Sequence, residues 1–134
     1  MEIKIINFDI HGDERGSLIS LESYRNIPFD IKRIYYIFNT KEGVRRGFHA
    51  HKNLKQVVVC VKGSCEFLLN DGKGEEKIIM NSPDKGLLID RFVWREMYNF
   101  SNDCVLMVLA NDYYIEDEYI RDYNEFIKIV KKND

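Results

Sequence analysis

The chain has 134 residues, 45% of them apolar and 31% charged, with 20 Lys and Arg against 22 Asp and Glu and a formal charge of -2. That length suits one hydrophobic core and predicts a single domain over residues 1–134. The charge balance excludes a general attraction to nucleic acid or an anionic membrane, so any anion must be held by local cations.

The opening "MEIKIINFDI" alternates polar and apolar residues and carries acids, unlike a signal peptide, and no apolar run is long enough to span a bilayer. Cys60, Cys65 and Cys104 are odd in number and lack CxxC spacing, which predicts reduced core thiols and a cytoplasmic protein. From there the chain runs through short stretches rich in Ile, Val, Leu, Phe and Tyr: "EIKIINF", "SLISLES", "IKRIYYIFN", "QVVVCVKG", "SCEFLLN", "EKIIM", "GLLID", "WREMYNF" and "DCVLMVLAN". Turn signals separate them, among them "HGDERG", "TKEG", "NDGKG" and "NSPDKG". Many short strands at fairly even spacing predict a β-sandwich or barrel, and "LLNDGKGEEKII" predicts a hairpin. From Asp117 the pattern changes: Tyr119, Ile120, Tyr123, Phe126, Ile127 and Val130 recur at helical spacing, with acids early and lysines late. This predicts one amphipathic helix packed on the outside of the sheets.

Two of the three histidines lie in "GFHAH". On a strand, His49 and His51 project to one face while Phe48 and Ala50 face away. Gly43 lies six residues before His49, Gln56 five after His51, and Gly63 seven further on. This resembles the first cupin motif with every interval kept and one substitution, Gln56 where the motif has Glu. Laying the second cupin motif from Gly86 puts Phe92, Trp94 and Met97 where it expects Pro, Gly and the remaining His ligand. An amide and a thioether are poor partners for Zn, Mn or Fe(II) beside two imidazoles, so no metal and no cofactor is expected. His11, in "HGDE", is expected in a solvent-exposed turn. The histidine pair is instead expected to move protons, because an imidazole titrating near ~6.5 gives and takes them at neutral pH.

Alternation in "IKRIYYIFN" puts Arg33, Tyr35, Ile37 and Asn39 on one face, assigned to the pocket, and Ile34, Tyr36 and Phe38 on the other. Arg46, just before the histidines, adds a second guanidinium suited to phosphate oxygens. Arg15 in "DERGSL" and Arg95 in "WREM" are further candidates around a sugar.

With the Tyr-rich end "NDYYIEDEYIRDYNEF", these features closely resemble the dTDP-4-keto-6-deoxyglucose 3,4-ketoisomerases over nearly the whole chain. The most specific part is Arg-Gly-x-His-Ala-His-Lys followed by Gln and Gly. The resemblance implies an all-β cupin jelly-roll (RmlC-like) β-barrel with one C-terminal α-helix. It also implies a homodimer with an exchanged N-terminal strand, no metal, and a nucleotide-linked 4-keto sugar as substrate. The product would be a 3-keto sugar, which an aminotransferase converts to a 3-amino sugar for surface polysaccharides. The family's two histidines map onto His49 and His51, and its pocket tyrosine and arginines onto Tyr35, Arg33 and Arg46.

The implied chemistry is acid–base alone, passing through an enediol across C3 and C4. His49 is expected as the carbon base and His51 as its partner, with the roles open to exchange. Tyr35 is expected to donate a hydrogen bond where charge develops, and Arg33 and Arg46 to grip the diphosphate. Three other readings remain open: a 3,5-epimerase acting on the same substrate, a non-catalytic sugar-binding cupin and, last, a metal-dependent cupin oxygenase or isomerase, which would need Gln56 and Met97 as ligands. The face on which C4 is protonated is not legible.

Overall fold

In the computed structural model, which describes residues 1–133, the alternating stretches become strands paired antiparallel. They are β1 (Lys4–Asn7), β2 (His11–Asp13), β3 (Gly16–Leu18), β4 (Arg33–Ile37), β5 (Arg46–His51), β6 (Gln56–Lys62), β7 (Cys65–Asn70), β8 (Glu75–Met80), β9 (Lys85–Ile89), β10 (Trp94–Tyr98), β11 (Val105–Ala110) and β12 (Tyr119–Ile120). One helix, α1 (Tyr123–Lys132), follows a 3-10 turn at Glu116–Glu118. The strands form two five-stranded sheets, in the orders β1-β9-β6-β11-β4 and β12-β5-β10-β7-β8, and β2 with β3 makes a separate hairpin. The jelly roll therefore consists of two facing sheets and is not hydrogen-bonded all the way round.

The core between the sheets is made of inward positions from both: Val58, Phe67, Leu69, Leu87, Ile89, Leu106 and Val108. Cys60, Cys65 and Cys104 lie in it as buried free thiols. The outer face of the first sheet carries Val57, Val59 and Leu109, covered by Ile27 and Phe29 from the segment leading to β4. "SLISLES" thus contributes only the short β3 and a covering segment, because its apolar residues pack across a sheet instead of extending it.

The predicted hairpin forms with Asn70 opposite Glu75. Asp71 Oδ1 accepts from the amides of Lys73 and Gly74, both at 2.9 Å, and closes the turn.

Helix α1 begins six residues later than its periodicity predicts. Asp122 ends the extended segment and caps the helix, its Oδ1 accepting the Glu125 amide at 3.0 Å. Before it, Tyr119 and Ile120 are strand residues paired with His51 and Ala50. Adjacent strand residues face opposite ways, so Tyr119 points to the histidines while Ile120 joins Phe126, Trp94 and Ala50 beneath the helix.

One irregularity shapes the site. Along β5 and β10, Arg95 pairs with His49 but Glu96 with Gly47, leaving Phe48 as an extra residue. Gly47 has φ 92° and Phe48 φ 58°. A Cβ on Gly47 would come within 2.8 Å of the Arg95 carbonyl oxygen, so the close strand approach requires glycine. Phe48 is pushed outward and exposed, and the strand resumes with His49 and His51 inward and Ala50 outward.

Candidate active site

His49 and His51 meet inside the sandwich with ring centroids 4.9 Å apart at 77°. Tyr119 closes over both, its ring 5.0 Å from His49 and 4.4 Å from His51. His49 Nδ1 lies 3.1 Å from the Gly47 carbonyl oxygen. A carbonyl only accepts, so Nδ1 carries the hydrogen and Nε2 is left with the lone pair. His51 is 0% exposed, and neither ring nitrogen has a hydrogen-bond partner among the described residues. Such a group is the kind of exception that a bound ligand resolves.

Arg95 faces His49 directly across the strand pair. It is 2% exposed, donates from Nη1 to Gln56 Oε1 at 2.5 Å and from Nη2 to the Val93 carbonyl at 3.0 Å, and leaves Nε unpaired. No carboxylate is paired with it among the described residues. Burial lowers it to about 10, so it remains a cation at neutral pH. Burial first, then the Arg95 charge, holds His49 down to about 3 and His51 to about 2. Both imidazoles are therefore neutral and can accept protons over the whole neutral range.

Tyr35 enters from β4 on the opposite sheet, and Gln56 Nε2 donates to its hydroxyl oxygen at 3.1 Å. Tyr35, His49, Gln56, Arg95 and Met97 surround a cavity of about 20 Å³, enough for one water.

Arg33, two residues before Tyr35, lies over the Tyr35 ring at 5.2 Å and 5.7 Å from Tyr114, with buried Nε and Nη2 unpaired. Tyr114 and Tyr119 form an aromatic wall, centroids 5.6 Å apart. Arg121 stacks on Tyr119 at 4.3 Å and is clasped by Glu116 at 2.8 Å. Arg121, and a hydrogen bond from the Tyr114 hydroxyl, hold Glu116 down to about 2.

The structure thus brings together His49, His51, Tyr35, Arg33 and Arg95. Arg46 is opposite Met97, an inward residue, and lies exposed on the same face. Arg15 is elsewhere: it is exposed in the β2–β3 hairpin, 2.6 Å from Asp13, with no contact to the histidines in the single chain. His11 is exposed in that hairpin too. Met97 shares the small cavity with His49, but the residue paired directly with His49 across the strands is Arg95.

Sequence reasoning missed Tyr114, Glu116, Tyr119 and Arg121, having read 117–120 as the first turn of a helix. The signal available was Asp122 three residues before Glu125, a capping pattern that ends the preceding segment. It also read Gln56 only as a lost ligand and not as a bridge.

A divalent metal does not fit this donor set. Gln56 spends its oxygen on Arg95, and a fixed guanidinium stands opposite the imidazole where a second cation would have to sit.

Fold and site define a cupin-like jelly roll whose pocket gathers imidazole, phenol and guanidinium side chains. The sequence model of the family described as FdtA, WxcM-like, C-terminal matches residues 1–131, and the chain belongs to that family. It is 54% identical over 132 residues to the TDP-4-oxo-6-deoxy-alpha-D-glucose-3,4-oxoisomerase of Aneurinibacillus thermoaerophilus, covering 98% of this chain and 95% of that protein. A 3,4-ketoisomerase from Helicobacter canadensis superposes with a TM-score of 0.94 at 56% identity, covering 98% of each chain. A sugar 3,4-ketoisomerase from Thermoanaerobacterium thermosaccharolyticum, solved in complex with TDP, gives 0.95 at 44% identity, covering 98% of this chain and 96% of that one.

Proposed function

We propose that the chain is a sugar-nucleotide 3,4-ketoisomerase, one domain over residues 1–134, converting dTDP-4-keto-6-deoxyglucose into the 3-keto isomer. The observation that carries this is the pair of neutral imidazoles, His51 buried and His49 half-buried, beside a buried guanidinium with no carboxylate partner among the described residues. That arrangement is short of one anion, and an enediolate supplies it.

The 4-keto group acidifies the C3 hydrogen. His49 Nε2, left with its lone pair by the Nδ1 contact to Gly47, takes that proton. The electron pair forms the C3–C4 double bond and moves the carbonyl π pair onto O4. Arg95, whose charge adds to burial in keeping the imidazoles neutral beforehand, faces the negative charge as it develops. Proton transfer from O3 to O4, with His51 as the shuttle, makes the new C3 carbonyl as a proton is delivered to C4. Nothing is oxidised or reduced overall. Tyr35 donates to a sugar oxygen. Arg33, with two unspent buried N–H groups, and Arg46 bind the diphosphate, so that nucleotide binding energy positions the sugar.

The product is the precursor that a 3-aminotransferase needs for 3-amino-3,6-dideoxyhexose units of lipopolysaccharide or a related glycan, made in the cytoplasm. The enzyme works as a homodimer with exchanged N-terminal strands. Supporting this, Ile34, Tyr36 and Phe38 leave an exposed apolar row along an edge strand of the first sheet. In that dimer Arg15, on a hairpin separate from both sheets, serves the partner's site.

The test is incubation of EDTA-treated protein with dTDP-4-keto-6-deoxyglucose in D2O, coupled to a 3-aminotransferase and followed by NMR. Solvent deuterium at C4 with a 3-amino product is the expected result; no exchange and no product overturns the proposal. Exchange at C5 instead identifies an epimerase.

A further inference from the structure

Gln56 occupies the position where the metal-binding members of this fold carry glutamate, and its two ends make different hydrogen bonds. Its oxygen accepts from Arg95 Nη1 at 2.5 Å, and its nitrogen donates to the Tyr35 hydroxyl oxygen at 3.1 Å. The orientation of the amide is not free. Arg95 has only donors, so the end facing it must be the oxygen, and the NH2 is forced toward Tyr35. Tyr35 Oη therefore receives a hydrogen bond from the protein while its own O–H remains unspent among the described residues. Tyr35, His49 and Arg95 line the same small cavity, so that O–H has a ligand oxygen, or a water standing in for one, as its partner.

From this we infer that Gln56 is a positioning residue that sets the direction of Tyr35's proton, through a one-way chain from Arg95 to Gln56 to Tyr35 to the sugar oxygen. Glutamate would reverse the last link. A carboxylate has no hydrogen to give, accepts from Arg95 and Tyr35 together, and turns the phenol proton away from the substrate. Glutamate would also pair with Arg95 and cancel the charge that faces His49. The amide is thus the one common group of this shape that accepts from a guanidinium on one side and donates to a phenol on the other. Gln56 is 2% exposed and lies on β6, held between β9 and β11, so its amide is presented from a rigid element.

This rests on the ketoisomerase reading, and the experiment separates the two. Gln56→Glu and the volume-matched Gln56→Met are compared with Tyr35→Phe and with each double variant, all in EDTA. Both Gln56 variants are expected to lower kcat by about 10²-fold, the cost of one misdirected donor, with KM little changed. Adding Tyr35→Phe to Gln56→Glu is expected to cost nothing further, since that proton is already turned to the carboxylate; in Gln56→Met, where the proton is undirected but has no competing acceptor, the same addition is expected to cost less than it does in wild type. In parallel, 3-fluorotyrosine placed at position 35 is titrated by 19F NMR, a readout that needs no turnover. Loss of the Gln56 donor to the phenolate is expected to raise its ionisation in both variants, further in Gln56→Glu. Multiplicative rate losses in the double variants, or a fluorophenol ionisation unmoved by either change in a folded protein, overturn the relay. If wild type has no isomerase activity, the functional reading falls while the 19F titration still decides the relay.

Discussion

Arg95 and His49 face each other across β10 and β5, a permanent cation against a neutral imidazole. In most folds that juxtaposition would be avoided. Here burial, with the Arg95 charge added to it, keeps the base unprotonated, and the cation is left in the pocket for an anion to meet.

Replacing that cation separates stability from activity. Arg95→Met removes a buried charge that no carboxylate compensates, so chemical denaturation is expected to show stability raised on the order of 1 kcal/mol despite the orphaned Gln56 oxygen. Turnover is expected to fall by about 10²- to 10³-fold. A variant destabilised by several kcal/mol would mean that Arg95 is a structural tie.

The two imidazoles make the fold acid-sensitive. Their folded values, about 3 for His49 and about 2 for His51, lie below the unfolded value near 6.5. Above pH 6.5 both states are deprotonated and the stability is intact. As pH falls from about 6.5 toward 3 the unfolded chain binds protons that the native one refuses, and stability is lost at up to about 1.4 kcal/mol per pH unit for each histidine. Urea denaturation at pH 7, 6 and 5 should show this slope, and His49→Asn/His51→Asn should flatten it. An unchanged slope in the double variant would place the acid sensitivity elsewhere.

Either histidine alone is expected to be indispensable to turnover. His49→Asn should abolish C3–H exchange, with a loss of at least about 10²- to 10⁴-fold in kcat. His51→Asn is expected to slow product formation while leaving some deuterium incorporation at C3. Near wild-type rates in both would remove the pair from the chemistry.

Tyr119 covers His51 at 4.4 Å. Tyr119→Ala should let water reach the ring, raise the His51 ionisation toward its ordinary value in NMR titration, and increase KM for the nucleotide sugar. Titration of His51 unchanged by the substitution would show that other groups keep the ring dry.

Phe126 is 0% exposed and is the only buried residue of α1. Phe126→Ala should cost about 3–5 kcal/mol. Because Ile120 packs beside Phe126 while Tyr119 faces the histidines, the same variant should weaken TDP binding in calorimetry. Full TDP affinity in a destabilised variant would mean that β12 stays in place without its helix.

Period-two alternation made most of the fold legible: Arg33, Tyr35 and Ile37 do face inward, while Ile34, Tyr36 and Phe38 are exposed. The histidine pair could be read for the same reason, since two residues on one strand face need no tertiary knowledge. Arg95 could be named but not placed, because its position depends on a bulge in a different strand. Tyr119 was misassigned because Tyr and Ile at helical spacing from Phe126 satisfy a helix and a strand alike, and only pairing with β5 decides between them. The role of Gln56 was hidden because an amide's two ends are distinguishable only once both partners are known.

The extra residue at Phe48 also acts as a phase shifter. Arg46 and His49 are three apart, an odd interval that in a regular strand would send them to opposite faces, yet Arg46 lies opposite Met97 and His49 opposite Arg95, both inward. The bulge absorbs the odd step, so one strand can turn a cation and two bases to the same face. Straightening the bulge with Phe48 retained would turn Arg46 to the face opposite the imidazoles, whereas deleting Phe48 would make the interval even and keep all three in phase on a regular strand. The spacing of the motif and the parity of the strand are a single specification, and neither can be edited without the other.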